Sequence, residues 1–250
     1  MRVGLAEALK SNGVILRSDA VLECITDKEG TKQIGLSDLT VLEVDLVLIA
    51  TGRTAKAAGL DPNAAGVQVS ATGEVLVNEH LATSVPHIYA IGDVTDRLNL
   101  TPVATGEGNA LADRRFGSIP RKTSLENVPT AVFSIPPIGT VGLTKSEAAL
   151  RGPGNIFVTK FTPERHQITG CNRYTIVKLV VDATNDRVLR AHMIGEDAPE
   201  IVQGLVIAIR ANTTKGEFDR TFGIHPTAAE EFVTLRTPTR VSNAAYLEKI

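Results

Sequence analysis

The sequence predicts an α/β region followed by an α+β region that is built on an antiparallel sheet. Residues 42–50 (LEVDLVLIA) form a near-continuous apolar run, which is typical of a strand buried on both faces of a parallel sheet. From about Asn127 onward, short strand candidates alternate with polar turns, a pattern that favours antiparallel pairing. The chain has 250 residues, which is enough for two compact domains.

The composition excludes several classes of partner. The formal net charge is −2 and the sequence contains no block of basic residues, so we expect neither nucleic acid nor an anionic membrane surface as a partner. No signal peptide is apparent and no apolar run is long enough to cross a bilayer, which predicts a cytoplasmic setting. Aromatic residues make up only 4% of the chain, so the core must be aliphatic.

In the first region, ligand-binding positions are predicted at the ends of buried strands. The expected elements are a helix over 2–10, strands over 14–16, 20–25 and 31–34, and the buried strand 42–50. The last of these ends at Thr51-Gly52-Arg53, and open α/β sheets bind ligands beyond the carboxyl ends of their strands. Gly52 and Arg53 are therefore candidate binding residues.

A second passage repeats this arrangement. Strands are expected over 75–77 and 87–91, and the latter ends at Gly92-Asp93. Gly92 allows a backbone or a ligand to approach closely, and Asp93 either accepts a hydrogen bond from a sugar or ribityl hydroxyl or caps the next helix. The helix that follows Thr101 is rich in small residues, which suits packing against a cofactor or against a neighbouring helix.

The second region predicts an antiparallel sheet with helices on one side. The expected strands are 131–133, 156–161, 174–181 and 188–194, and the expected helices are 145–150, 200–211 and 217–222.

Near the C-terminus, Gly223-Ile224-His225-Pro226-Thr227 leads into Ala228-Ala229-Glu230-Glu231. Thr227 and Glu230 have the spacing of a capping box, so a helix should begin at Thr227. A carboxylate beside an imidazole orients the ring and stabilises the imidazolium, as an acid–base histidine requires. The alternative is an ordinary helix entrance in which Glu230 only satisfies backbone N–H groups.

The cysteines offer no redox or zinc motif. Cys24 and Cys171 lie far apart and form neither a CxxC pair nor a zinc-binding spacing. They are expected to be ordinary thiols.

Five short motifs, taken together and in order, resemble the pyridine nucleotide–disulfide oxidoreductases, and within them the glutathione and trypanothione reductases. The motifs are Ala50-Thr51-Gly52-Arg53, Tyr89-Ala90-Ile91-Gly92-Asp93-Val94, Leu100-Thr101-Pro102-Val103-Ala104, residues 131–142 (AVFSIPPIGTVG) and residues 225–231 (HPTAAEE). The passage 133–139 and the tail Leu235-Arg236-Thr237-Pro238 look closer to trypanothione reductases.

The resemblance implies a role for each matching residue. Asp93 would bind the ribityl chain of FAD, Thr101 would lie at the pyrimidine edge of the flavin, and Gly52 and Arg53 would lie beside NADPH. Gly92 and Pro226 would also belong to the cofactor site. His225 would be the acid–base residue that serves the dithiol of the partner subunit, and Glu230 would orient it.

The resemblance also implies a division of the chain. Residues 1–54 would be the C-terminal part of an NADPH-binding domain, and residues 55–126 the C-terminal part of a FAD-binding domain. Residues 127–250 would be the interface domain of a homodimer, with the peptide after Arg165-His166 on the interface and substrate side.

Parts of the family pattern are missing from the sequence. It contains no GxGxxG loop after a strand and no pair of redox cysteines, and Ala55-Lys56 replaces the Pro-Asn that follows the Thr-Gly-Arg motif in the family. We therefore expect a C-terminal fragment of a disulfide reductase, with weak FAD binding and little or no activity alone.

Two other functions are open. One is a dimeric scaffold without enzymatic activity. The other is a repurposed enzyme or metal binder that uses the remaining polar residues, His166, His225, Glu230 and Glu231, although no metal-binding spacing supports it.

Overall fold

A computed structural model describes residues 1–117, 123–143 and 152–242. The chain forms two compact units. One unit consists of Asp19–Leu125, and the other combines Met1–Ser18 with Glu126–Ile250. Below, they are called the central unit and the terminal unit.

The central unit contains a three-stranded antiparallel sheet and one long helix. The strands are β1 (Leu22–Lys28), β2 (Thr31–Leu36) and β3 (Val41–Val44), in the order β1-β2-β3, and the helix is α2 (Thr101–Phe116). Glu29 and Gly30 form the β1–β2 turn with φ values of 42° and 93°, as two-residue hairpin turns require. The predicted hairpin and the helix after Thr101 are confirmed.

The prediction of a buried parallel strand over 42–50 is wrong. Strand β3 ends at Val44 and pairs antiparallel with β2, with Ile34 opposite Leu42. Beyond it, the side chains of Leu46 and Leu48 are 79% and 84% exposed. A strand buried on both faces needs neighbouring strands and covering helices, and the described part of this unit does not supply them.

The other strands predicted for the first region are not formed either. Val75 and Tyr89 each make only a single bridge, to Val69 and Ala82 respectively, and residues 14–16 lie outside any strand. Segments that pair at one residue cannot build a ladder, so this part of the unit is held by turns and a small apolar cluster. Ala57, Val67 and Val75 are its buried members.

The terminal unit is built on a six-stranded antiparallel sheet of order β4-β5-β8-β7-β6-β9. Its strands are β4 (Thr130–Val132), β5 (Ile138–Gly142), β6 (Gly154–Phe161), β7 (Thr175–Asp182), β8 (Val188–Ile194) and β9 (Arg240–Ser242). Its helices are α1 (Arg2–Ser11), α3 (Glu164–Thr169), α4 (Ala198–Arg210), α5 (Lys215–Arg220) and α6 (Glu231–Thr234). The antiparallel sheet predicted for the second region is confirmed, while β9 was not predicted and the predicted helix 145–150 lies outside the described residues.

The core of this unit lies between the sheet and α4. Val177, Leu179 and Met193 are fully buried on the central strands and belong to one apolar cluster with Val202 of α4. Gly139 permits the close approach, because a Cβ there would lie 2.5 Å from the carbonyl oxygen of Ala198. The alternation of strand side chains gives this sheet a continuous apolar face.

Helix α1 covers the opposite face of the same sheet. A Cβ at Gly4 would lie 2.4 Å from Ile176 Cδ1, so the helix backbone approaches β7 closely. Ile176 alternates with Val177, which points into the core below α4, and successive strand residues face opposite sides. Tyr174 Oη donates a hydrogen bond of 2.7 Å to the Gly4 carbonyl, and Lys160 pairs with Glu7 at 3.0 Å.

No helix in the described ranges has both the length and the apolar character that a membrane span requires.

Candidate functional site

The predicted pair His225 and Glu230 is formed. Nδ1 of His225 lies 3.0 Å from Oε1 and 3.2 Å from Oε2 of Glu230. The imidazole side chain is 77% exposed, whereas the carboxylate side chain is only 20% exposed. A half-buried carboxylate thus holds one nitrogen of a histidine ring that is open to solvent.

The turn that presents this pair is set by the local sequence. Thr227 is the N-cap of a 3₁₀ turn over Ala228–Glu230, which runs directly into α6, and the Thr227 N–H donates to Glu230 Oε1 at 3.4 Å. Glu230 therefore caps the helix and orients the histidine at once, so the two predicted roles coexist. Pro226 follows His225 through a cis peptide bond.

Packing fixes the position of Glu230. A Cβ at Gly223 would lie 2.6 Å from Glu230 Cβ, so only glycine allows the chain before His225 to lie this close. One turn further on, Phe232 is fully buried in the core of the terminal unit. The loop that carries His225 is thereby fastened to the sheet.

His225 and Glu230 line a groove of about 810 Å³. Its other described walls combine apolar and charged side chains and come from α3, α4, α6 and the loops next to them: Phe161, Thr162, Pro163, Glu164, Arg165, Gln167, Ile168, Asp197, Ile201, Ile224, Pro226, Thr227, Ala228, Ala229 and Glu231. None of these residues is a cysteine. Hydrogen-bonding groups of both charges along an apolar floor suit a polar ligand of peptide-like size.

An ion-pair network borders the groove at Arg165. Arg165 lies 2.7 Å from Asp197 and 3.1 Å from Glu196, and Arg173 also pairs with Glu196. The hydrogen bond from Arg173 is the main cause that lowers the pKa of Glu196, and the nearby His166 and Arg165 add to it. His166 itself is buried and lies 3.6 Å from Glu196, so Arg165 lines the groove and His166 supports the network behind it.

Gly92 and Asp93 begin a tight 3₁₀ turn over Gly92–Thr95 in the central unit. Gly92 has φ of 68°, and a Cβ there would lie 2.9 Å from Ala104 Cβ on α2. Its carbonyl accepts a hydrogen bond of 2.8 Å from Thr95 Oγ1. Asp93 is exposed on this turn, where its carboxylate is available to a hydroxyl group.

The sequence reasoning missed Glu107, which is 1% exposed on α2. Its Oε2 accepts a hydrogen bond of 2.7 Å from the Gly92 N–H, and its Oε1 contacts Arg97. A signal was present: Glu107 shares a helix face, at spacings of four and three, with the buried Val103 and Ala110. A carboxylate on an apolar helix face is almost always paired.

The remaining predicted cofactor residues are exposed in the central unit. Thr101 is the first residue of α2 and is followed by Pro102, which suits a helix start. Gly52, with φ of 119°, and Arg53 lie in an exposed segment outside the described strands and helices. Asp93 and Thr101 thus fit the hydroxyl and polar edges of a flavin, whereas the sequence supplies no glycine-rich loop for its pyrophosphate.

The structure offers no support for a metal centre. Within the described residues, no three His, Cys, Asp or Glu side chains are grouped so that they could hold an ion. The two cysteines are both exposed free thiols, Cys24 in the central unit and Cys171 in the terminal unit.

Comparison with known proteins agrees with this arrangement. Residues 1–108 match the family model described as pyridine nucleotide-disulphide oxidoreductase, and residues 128–236 match the dimerisation domain of the same enzymes. A glutathione reductase from Burkholderia cepacia is 45% identical over 94% of this chain and 53% of its own length. A trypanothione reductase from Trypanosoma congolense is 39% identical over 96% of this chain and 49% of its own length.

A solved structure gives the same result. The HOCl-induced flavoprotein disulfide reductase RclA from Escherichia coli superposes with a TM-score of 0.81 at 29% identity, over 92% of this chain and 53% of that protein. The chain therefore spans about half the length of the relatives it matches. It belongs to the pyridine nucleotide-disulphide oxidoreductase family.

Proposed function

We propose that this chain is the C-terminal part of a FAD- and NADPH-dependent disulfide reductase of the glutathione or trypanothione type. The observation that carries the proposal is the His225–Glu230 pair, with 3.0 Å between Nδ1 and Oε1, on a groove wide enough for a peptide-like disulfide. The family relationship supports the reaction class.

The chain's own residues act on protons in this proposal. When Nδ1 carries a proton, Glu230 accepts its hydrogen bond, which leaves Nε2 to take a proton from a thiol or return one. The carboxylate also stabilises the imidazolium that forms. Glu230 keeps its place because the Thr227 N–H and the packing against Gly223 hold it independently of the histidine.

The cofactors would be held in part by the central unit. Bound FAD would supply the group that accepts a hydride from NADPH and delivers electrons to a disulfide. Asp93 would accept a hydrogen bond from a ribityl hydroxyl and Thr101 would contact the flavin edge, with Gly52 and Arg53 on the NADPH side. The phosphate-binding loops and the dithiol would come from a separate polypeptide, because neither is in this sequence.

Residues 127–250 would form a homodimer, and the boundaries 1–54 and 55–126 for the nucleotide domains stay predictions. Large apolar side chains on the surface of the terminal unit support an interface, since Phe133 is 85% and Ile207 is 74% exposed. A cytoplasmic setting also stays a prediction.

Complementation tests the proposal. The chain would be assayed alone, and then co-expressed with the N-terminal half of the Burkholderia cepacia relative, for retained flavin absorbance and for NADPH-dependent reduction of glutathione disulfide and trypanothione disulfide. We expect a colourless, inactive chain alone and turnover by the pair. In the pair, His225→Gln should lower kcat by about 100-fold or more, because the acid–base group is lost.

His80→Gln is the matched control. His80 is also an exposed histidine beside a glutamate, 3.5 Å from Glu79, but it lies in the central unit. It should leave turnover unchanged. Turnover by the chain alone would contradict the predicted loss of activity, and full turnover by His225→Gln in the pair would remove the histidine from the mechanism.

The second candidate function is a homodimeric scaffold. It is favoured by the terminal unit, which has an extensive core of its own and exposes Phe133 and Ile207. Sedimentation of the chain at several concentrations tests it, and a monomer at every concentration would end this candidate.

A further inference from the structure

Glu107 is an unusual carboxylate for its surroundings. It is 1% exposed on α2, between the buried apolar residues Val103 and Ala110. Glutamate is almost never buried to this degree unless its charge is compensated, since removing an ion from water costs several kcal/mol. A role for this side chain should therefore be sought in the groups that compensate it.

Both carboxylate oxygens of Glu107 are used. Oε1 accepts from Nη2 of Arg97, whose side chain is 28% exposed, and Oε2 accepts from the Gly92 N–H at 2.7 Å. One partner supplies a charge and the other is a backbone amide. Hydrogen bonds to an ionised acceptor are about twice as strong as neutral ones. The two bonds tie α2 to the turn that begins at Gly92.

The turn at Gly92 has little freedom. Its N–H is held by Glu107 and its carbonyl by Thr95, and its α carbon is pressed against Ala104 of α2. Asp93 is the next residue and is exposed at the start of the same 3₁₀ turn. Whatever fixes Gly92 thus fixes the backbone from which the Asp93 carboxylate extends.

We propose that Glu107, charge-paired with Arg97, is a positioning residue that places the Asp93 carboxylate for a hydroxyl of the flavin ribityl chain. The inference rests on the function proposed above. Glu107 is buried behind the turn and acts only through the Gly92 amide. It holds Asp93 in one place before the ligand arrives, which lowers the ordering cost of binding.

The first test measures the turn in the whole chain without any cofactor. Amide hydrogen exchange would be compared in the unaltered chain, Glu107→Gln and Glu107→Ala. The glutamine keeps the shape and a neutral acceptor but loses the charge, so exchange at Gly92 should be at least fivefold faster, and the alanine should give a larger increase. Amides of β1–β3 should not change, which separates positioning from general loss of structure.

Glu23→Gln is the control, because Glu23 is an exposed carboxylate on β1 of the same unit. It should leave exchange at Gly92 unchanged. If Glu107→Gln and Glu107→Ala also leave it unchanged, the anchoring role is overturned. Faster exchange throughout β1–β3 in Glu107→Gln would overturn it as well, because the residue would then support the whole unit.

The second test measures FAD affinity in the complemented pair. Glu107→Gln and Asp93→Asn should each raise the FAD dissociation constant by fivefold or more. The double variant should be little weaker than Asp93→Asn, because both substitutions remove the same contact. Additive losses, or unchanged affinity in Glu107→Gln, would overturn the link to the flavin. If the unaltered pair binds no FAD, the proposed function fails, and the exchange result alone then decides whether Glu107 anchors the turn.

Discussion

The terminal unit buries its apolar side chains, whereas the central unit leaves many of its own in solvent. Leu179 and Phe232 of the terminal unit are fully buried, but Leu46 and Leu48 of the central unit are 79% and 84% exposed. The difference follows from sheet type. An antiparallel sheet completes its pairing among strands that are near in sequence, while a parallel strand needs distant strands on both sides.

This difference separates the two groups of candidate residues. His225 and Glu230 lie on a loop that Phe232 fastens to a large core. Asp93 lies on a turn whose unit has a much smaller apolar cluster around Val67 and Val75, and there a buried ion pair supplies the anchor. The comparison teaches that a site's rigidity comes from tertiary support that can be apolar or ionic.

The largest expected effect separates the two units directly. Leu179→Ala should lower the free energy of unfolding of the terminal unit by about 2–5 kcal/mol, because it removes a fully buried side chain and leaves a cavity. The matched change Leu48→Ala should stay within about 0.5 kcal/mol. Urea titration followed by hydrogen exchange in each unit measures both. Equal losses would mean that Leu48 is buried in solution.

A second prediction concerns the support of His225. Gly223→Ala should cost about 1–3 kcal/mol and displace Glu230, because the new Cβ would lie 2.6 Å from Glu230 Cβ. Unfolding measurements give the cost, and the ¹⁵N shifts of His225 report whether its bond to Glu230 persists. Gly204→Ala on α4 is the control, since a Cβ there has open space and alanine favours a helix. An unchanged His225 spectrum in Gly223→Ala would show that the loop adapts.

A third prediction uses a buried histidine of the terminal unit. Burial lowers the pKa of His192 to about 3, with Arg190, Lys178 and the amino terminus adding to the effect, and its Nδ1 lies 2.5 Å from Thr140 Oγ1. The unfolded chain takes up this proton near pH 6.5 but the folded chain does not. His192 therefore lowers stability as pH falls from about 6.5 towards 3, by roughly 1 kcal/mol per pH unit, and has no such effect at pH 8.

His192→Asn should remove that part of the pH dependence, while the same change at the exposed His87 of the central unit should not. Urea midpoints at pH 8, 6 and 5 measure it. Parallel pH curves for the unaltered chain and His192→Asn would contradict the burial of a neutral imidazole.

The smallest effect tests whether α1 belongs to the terminal unit. Tyr174→Phe removes the hydrogen bond to the Gly4 carbonyl and should cost about 1 kcal/mol, with faster exchange in α1. Tyr89→Phe in the central unit is the matched control and should leave α1 unchanged. If α1 exchanges rapidly in the unaltered chain, it is not docked on the sheet in solution.

The sequence by itself determined the elements whose partners are near in the chain. The β1–β2 hairpin, the strand Val188–Ile194 and the helix after Thr101 follow from turn residues, alternation and a proline at the helix start. The His225–Glu230 pair follows from a capping-box spacing, because both residues lie within one short turn. Motif order was enough to predict the family.

Only the tertiary structure decided what depends on distant groups. The apolar run 42–50 has the composition of a buried strand, but burial requires neighbouring strands that the central unit does not contain. Glu107 reads as one polar residue of a helix until Arg97 and the Gly92 amide are seen to converge on it. Propensity and spacing act over a few residues, whereas burial and charge pairing are properties of the folded chain.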